Sequence, residues 1–229
     1  CFFPEVADRL RFEVDLEIEV AERNPFDFLL DTAVAHFPFE YPGEELAGLA
    51  PFLLPPGGVR VPGFPGWQAP RDPGAVDTTE VLVELNRALH AAIRYERREE
   101  GPPHPPSETL ERGAGSCRDI ALLHAAVLRT QGVATRLVSG FLFETVTGRR
   151  VAEGALHLWT EAYLPGAGWL GFDPTGGVLC DHLYVPCAVG IEPVEVTPIL
   201  GRYCADRPVA SRLETAVEIA AGSGGAPPE

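Results

Sequence analysis

From Leu10 to Val20 the chain alternates over eleven residues: Leu10, Phe12, Val14, Leu16, Ile18 and Val20 are apolar, and the positions between them are charged. A period of two predicts a strand with one buried and one wet face, ended by Asn24-Pro25. The next apolar patch, FDFLLDTAVAHFPFEY, has no helical period and reads as a further strand and loop. Pro and Gly crowd the span from Pro51 to Pro73, an extended connection. Then the period changes. Val81, Leu82, Leu85, Ala88, Leu89, Ala92 and Ile93 share one face of a helix, with Asp77 and Glu80 spaced as a capping box, and the helix ends near Tyr95. Ser107 to Arg112 reads as a short helical turn. A second helix opens after Ser116, whose capping box with Asp119 puts Cys117 at the first helical position. Ile120, Ala121, Leu123, Val127 and Leu128 form its buried face, and Gln131-Gly132 stops it. Three strand-like runs follow, TRLVSGFLFE, ALHLWTEAYL and GWLGFD, with the clearest turns at Thr147-Gly148 and Pro165-Gly166.

This order, strands, then helices, then strands in series, predicts an α+β fold rather than alternating βαβ units. It divides into a β-rich region over residues 1–76, a core over 77–201 and a C-terminal strand or tail over 202–229.

With 229 residues, 45% hydrophobic and 22% charged, the composition suits a folded protein with a sizeable core. No apolar run approaches the roughly 20 residues that cross a membrane. The net charge of −15, dispersed along the chain, argues against nucleic acid or an anionic membrane as partner. All 18 basic residues are Arg, and there is no Met. The abrupt start at CFFPEV and the GSGGAPPE end point to a piece of a longer polypeptide carrying further domains. A lipid-modified Cys1 is a sharper reading, disfavoured because Phe2-Phe3 runs on without a linker. Five cysteines at irregular spacing do not form a disulfide framework, so a reducing, cytoplasmic setting is expected.

Cys117 raises the main chemical question. The first turn of a helix carries unpaired N–H groups and the positive dipole end, and both favour a thiolate. Gly113 and Gly115 upstream would let a substrate backbone approach and leave N–H groups for an oxyanion. By itself, though, a cysteine at a helix start is more often a small core residue. A base elsewhere would change the balance. His124 shares the helical face of Cys117, but two turns, about 10 Å, separate them, so it reads as a half-buried helix residue. His36 sits in the N-terminal patch, His90 within the first helix, His104 in a Pro-rich loop and His182 after the third strand-like run. His157 sits in the apolar run LHLW, where an imidazole needs a partner. Asp173, in GWLGFDPT, could reach it across a hairpin, either as the orienting carboxylate of a nucleophile–base set or as a purely structural pair.

The blocks GxGSCRDxAxLxAxxLRxxGxxxRxVSGF and HxWTExYLPGxGWxGFDPTxG closely resemble the transglutaminase-like superfamily of bacterial thiol enzymes, over about Thr79 to Gly201. The resemblance implies a papain/transglutaminase-like core, with the nucleophile at a helix N-terminus packed on an antiparallel sheet. It implies Cys117 as nucleophile, His157 as general base and acid and Asp173 as orienting carboxylate. The reaction implied is acyl transfer on amide bonds of a protein or peptide substrate through a thioester, most directly peptide or isopeptide hydrolysis, with no cofactor. Amine transfer to protein glutamine and a non-catalytic binding module on the same fold are the alternatives. Trp159, on the strand face of His157, could shield the imidazole or contact substrate, and Tyr95 could donate a hydrogen bond near the oxyanion. Arg118 pairs with Asp119 or with neighbouring backbone. Where the family continues into a short loop and strand, this chain reads VLCDHLYVPC. Cys180, His182, Cys187 and Cys204 could bind a metal but match no zinc spacing, so the three cysteines read as buried thiols and no metal is assigned.

Overall fold

The computed structural model describes residues 7–72, 74, 76–98, 101–143, 151–152 and 155–220; Cys1 and the Thr147-Gly148 turn lie outside them. Two-residue strands punctuate the first third: β1 (His36–Phe37), β2 (Gly63–Phe64), β3 (Trp67–Gln68) and β4 (Val76–Asp77), pairing β1 with β4 and β2 with β3. Helix α1 (Gly43–Leu49) lies among them. Helix α2 (Thr78–Ala92) starts where Asp77 accepts the Glu80 N–H at 3.1 Å, the cap expected from its sequence. Next come β5 (Arg94–Tyr95), α3 (Pro106–Arg112), β6 (Ala114–Gly115) and α4 (Cys117–Thr130), with β5 and β6 in parallel.

The remaining strands are β7 (Thr135–Leu142), β8 (Val151–Ala152), β9 (Ala155–Leu164), β10 (Gly168–Asp173), β11 (Val178–Leu179), β12 (Tyr184–Gly190) and β13 (Ile219–Ala220). Five of them make one antiparallel sheet in the order β11-β10-β9-β7-β12. The sheet alternates as a strand must. Leu158, Ala162 and Leu164 of β9 pack with side chains of α4, while His157 and Trp159 lie on the other face. Every residue of α4 from Asp119 to Arg129 is buried. That suits a helix with Ala121, Ala125 and Ala126 on one side for close approach and Ile120, Leu123, Val127 and Leu128 filling the core. Among the described residues no helix is long and apolar enough to cross a membrane.

The N-terminal region departs from its sequence reading. Residues 7–24 join no sheet among the described residues, and the apolar positions from Leu10 to Val20 are 50–76% exposed. Alternation sets which face a strand would bury, but a strand forms only beside another backbone that accepts its hydrogen bonds. Nor is this region β-rich or separate from the core. Phe37, Val61, Phe64 and Trp67 are buried in one cluster with Leu82, Leu123 and Ala162. The Tyr41 hydroxyl donates to the Tyr163 carbonyl at 2.7 Å and accepts the Ala134 N–H at 2.9 Å. At the far end, residues 201–218 carry no regular structure and only Ile219–Ala220 pairs, with β8.

Tyr41→Phe should therefore lower stability by about 1–3 kcal/mol, because a core carbonyl and N–H lose their partner together. Urea unfolding checks this, and a change below about 0.3 kcal/mol would mean that the N-terminal region is not fastened to the core there.

Candidate active site

The β9–β10 hairpin sets the geometry. Its register runs from Leu164 opposite Gly168 to Thr160 opposite Phe172. One step further puts Asp173 beside Trp159 and diagonal to His157 on the same face. The turn closes tightly. Gly166 has φ +90°, and a Cβ there would meet the Leu29 carbonyl oxygen at 2.6 Å, so only glycine allows the N-terminal segment to dock on it.

His157 Nε2 lies 2.9 Å from Asp173 Oδ2, with both side chains largely buried. The same oxygen accepts the Tyr184 hydroxyl at 2.9 Å, and Oδ1 accepts the Thr175 N–H at 2.8 Å. Burial raises the Asp173 pKa, but the hydrogen bond and charge of His157, with Tyr184 and Thr175, outweigh it and leave the carboxyl below its usual range. Burial likewise pulls His157 down. Its hydrogen bonds to Asp173 and Cys117, and their charges, push it up to about 10. With Nε2 committed to Asp173, Nδ1 is the nitrogen left for Cys117. The structure thus brings together all three residues that the sequence singled out.

Cys117 is half-buried and free at the start of α4. Asp119 organises this end. Its Oδ2 accepts the Ser116 N–H and hydroxyl at 2.8 and 2.7 Å, and its Oδ1 accepts the Arg98 guanidinium and the His104 N–H. Burial opposes ionisation, yet these donors hold its pKa below the ordinary carboxylate value. So Asp119 is more than a cap: it ties the segment of Arg98 and His104 to the turn that carries Cys117. Arg118 bonds the Arg98 carbonyl at 2.8 Å, the backbone contact open to it from sequence.

Other expectations change. Gly113 ends α3 with φ +59°, and its N–H bonds the Thr109 and Leu110 carbonyls, so it is not an oxyanion donor. At Gly115 a Cβ would sit 2.8 Å from the Asp119 Cβ; its bareness makes room for that carboxylate. In the first turn of α4 the Asp119 N–H bonds the Ser116 carbonyl at 3.0 Å, so the Cys117 N–H, beside the thiol itself, is the oxyanion donor that the helix start offers. Trp159 is 1% exposed and stacks on His157 at 6.3 Å between ring centroids, which makes it a shield without surface for a substrate. Tyr95 is 51% exposed and pairs with Gly115, two residues before Cys117. His124 is wholly buried, not half-buried. Cys187 and Cys204 are exposed rather than core thiols, and Cys180 is half-buried. Among the described residues no group of three or more His, Cys, Asp or Glu side chains could hold a metal ion.

Sequence reading missed Tyr184, which packs edge-on to Trp159 at 5.5 Å and donates to Asp173. Its one signal is an aromatic with a polar tip in the apolar run after the aspartate block.

Residues 70–174 match the family model of the Transglutaminase-like superfamily, and that span contains Cys117, His157 and Asp173. An uncharacterized protein of Mycobacterium leprae is 33% identical over 146 residues, which is 59% of this chain and 50% of the relative. An uncharacterized protein of Mycobacterium tuberculosis is 30% identical over 129 residues, 53% of this chain and 41% of the relative. The chain thus spans half or less of the length of these curated relatives. Among solved structures, a provisionally identified cysteine protease of Cytophaga hutchinsonii aligns with TM-score 0.49 and 20% identity, over 68% of this chain and 52% of that one. The periplasmic domain of TgpA from Pseudomonas aeruginosa aligns with TM-score 0.35 and 23% identity, over 43% and 37%.

The two buried imidazoles give stability a pH dependence of opposite signs. His157, raised to about 10, stabilises the fold fully below about pH 6.5 and loses that contribution as pH rises toward 10. His124, lowered to about 3 by burial, takes no proton where the unfolded chain does, so stability falls as pH drops from about 6.5 toward 3. The unfolding free energy from urea titrations should peak near neutrality and decline on both sides, by up to about 1.4 kcal/mol per pH unit for each group. A midpoint still rising from pH 7 to pH 9 would contradict the His157 assignment.

Proposed function

We propose that the domain performs thiol-dependent acyl transfer on amide bonds, with hydrolysis of a peptide or isopeptide as the reaction and a protein or peptide as substrate. The observation that carries this reading is the His157–Asp173 bond, with Nδ1 of the same ring left for Cys117 at a helix N-terminus. Before substrate binds, His157 already holds the thiol proton on Nδ1 as an imidazolium, stabilised by the Asp173 carboxylate and paired with the Cys117 thiolate. The Cys117 thiolate then attacks the amide carbon. The oxygen of the tetrahedral adduct is stabilised by the Cys117 N–H and the dipole of α4. When the adduct collapses, the C–N bond breaks and His157 Nδ1–H protonates the leaving nitrogen, leaving a thioester on Cys117. Water, deprotonated by the now neutral His157, attacks the thioester, releasing the acid and the thiol. Trp159 and Tyr184 roof the ion pair and limit its hydration. A reducing compartment is part of the proposal, since Cys117 works only as a thiol.

Assaying a mixed peptide and isopeptide library, with a primary amine added as competing acceptor, tests the reading. Cleavage should exceed amine incorporation; the reverse outcome would make the domain a cross-linking transferase. Cys117→Ala should abolish turnover without loss of fold, and residual turnover would remove the thiol from the chemistry. Asp173→Asn should reduce kcat by about 10²–10⁴-fold, as loss of an orienting carboxylate does elsewhere. Full activity in that variant would make the His157–Asp173 bond structural.

A further inference from the structure

His124 is a buried polar group that the mechanism does not use. Its Nδ1 lies 2.7 Å from Thr160 Oγ1, and Thr160 Oγ1 lies 3.2 Å from the Phe172 carbonyl oxygen. A hydroxyl has a single proton and a carbonyl can only accept. Both bonds therefore form together only if Thr160 donates to Phe172 and accepts from His124 Nδ1–H. His124 is then the neutral Nδ1–H tautomer, with Nε2 as a lone pair that finds no hydrogen-bond partner among the described residues. Both His124 and Thr160 are 0% exposed. Burial keeps the ring neutral, against the pull of the Asp173 charge.

An imidazole with one unsatisfied nitrogen is a costly occupant of a core site that leucine could fill. The elements it joins give it a use. His124 is on α4, seven residues after Cys117; Thr160 is on β9, three after His157; Phe172 on β10 directly precedes Asp173. The Phe172 ring also meets the His124 ring edge-on at 6.2 Å. One buried chain thus links the three elements that carry the reacting residues.

We propose that His124 is a positioning residue, which through Thr160 and the Phe172 carbonyl fixes α4 against β9 and β10 and so sets the Cys117–His157–Asp173 geometry. The inference rests on the acyl-transfer reading above and deepens it. Small misplacements of reacting groups lower rates steeply, which gives such a tie its leverage.

The test is iodoacetamide alkylation of Cys117 from pH 5 to pH 9 in the reduced chain, read by peptide mapping. Wild type should react rapidly at pH 6. His124→Leu and Thr160→Val should each slow that reaction by about tenfold and move the pH profile upward. His124→Asn, whose Nδ2–H stands where Nδ1–H stood, should restore most of the rate, a rescue that filling a core cavity would not produce. If His124→Leu does not fold, Thr160→Val, of matched shape, decides. Profiles that overlay wild type in both disrupting variants, beside a reactive wild type, overturn this inference alone. A wild-type Cys117 inert at pH 6 overturns the acyl-transfer reading and the inference with it.

Discussion

The hydrogen bond between His157 Nε2 and Asp173 Oδ2 is a constraint that the fold must meet in several places at once. A carboxylate and an imidazole are both costly to bury unless each satisfies the other. Their meeting requires the β9–β10 register to be correct to the residue, since a slip by one would turn His157 to the opposite face. The register is held by the Pro165–Gly168 turn, and that turn is clamped by the N-terminal segment, where the Asp31 N–H bonds the Pro165 carbonyl at 2.8 Å. Asp173 is also held from outside the hairpin by Tyr184 on β12. Sheet order, turn and N-terminal wrap therefore converge on one contact.

A second buried carboxylate does similar work on the other side of Cys117. Asp119 gathers donors from Ser116, Arg98 and His104, and it fits only because Gly115 has no side chain. One carboxylate holds the His157 ring, while the other fixes the turn that carries Cys117. Neither needs to change protonation at neutral pH, because donors hold both below the usual carboxylate range. The site is pre-organised by charges that stay put.

What the sequence revealed, and what it hid, follows from range. The α2 and α4 helices, their caps and the β9–β10 hairpin are short-range patterns, so Asp77, Ser116, Asp119 and the Pro165-Gly166 turn could be read from neighbours a few residues away. The His157–Asp173 contact was legible because a hairpin turns sequence distance into a predictable register. The stretch Leu10–Val20 was misread because its alternation is local while strand formation is not. Tyr184 and the His124–Thr160 contact lie out of reach for the same reason: Tyr184 is on β12, which a crossover places beside β7, and His124 is on a helix whose packing on the sheet no local pattern sets. Gly113 and Gly115 were assigned to substrate approach because a glycine's pattern is the same whether it ends a helix, clears room for a carboxylate or admits a ligand.

The most direct test of the account is the protonation state of His157, read by ¹⁵N NMR of the selectively labelled imidazole between pH 5 and pH 11. The account predicts an imidazolium, protonated on both nitrogens, that persists through pH 8 and deprotonates near 10. A ring that loses its proton at the ordinary value of about 6.5 would contradict it, and would reduce the His157–Asp173 bond to a structural contact.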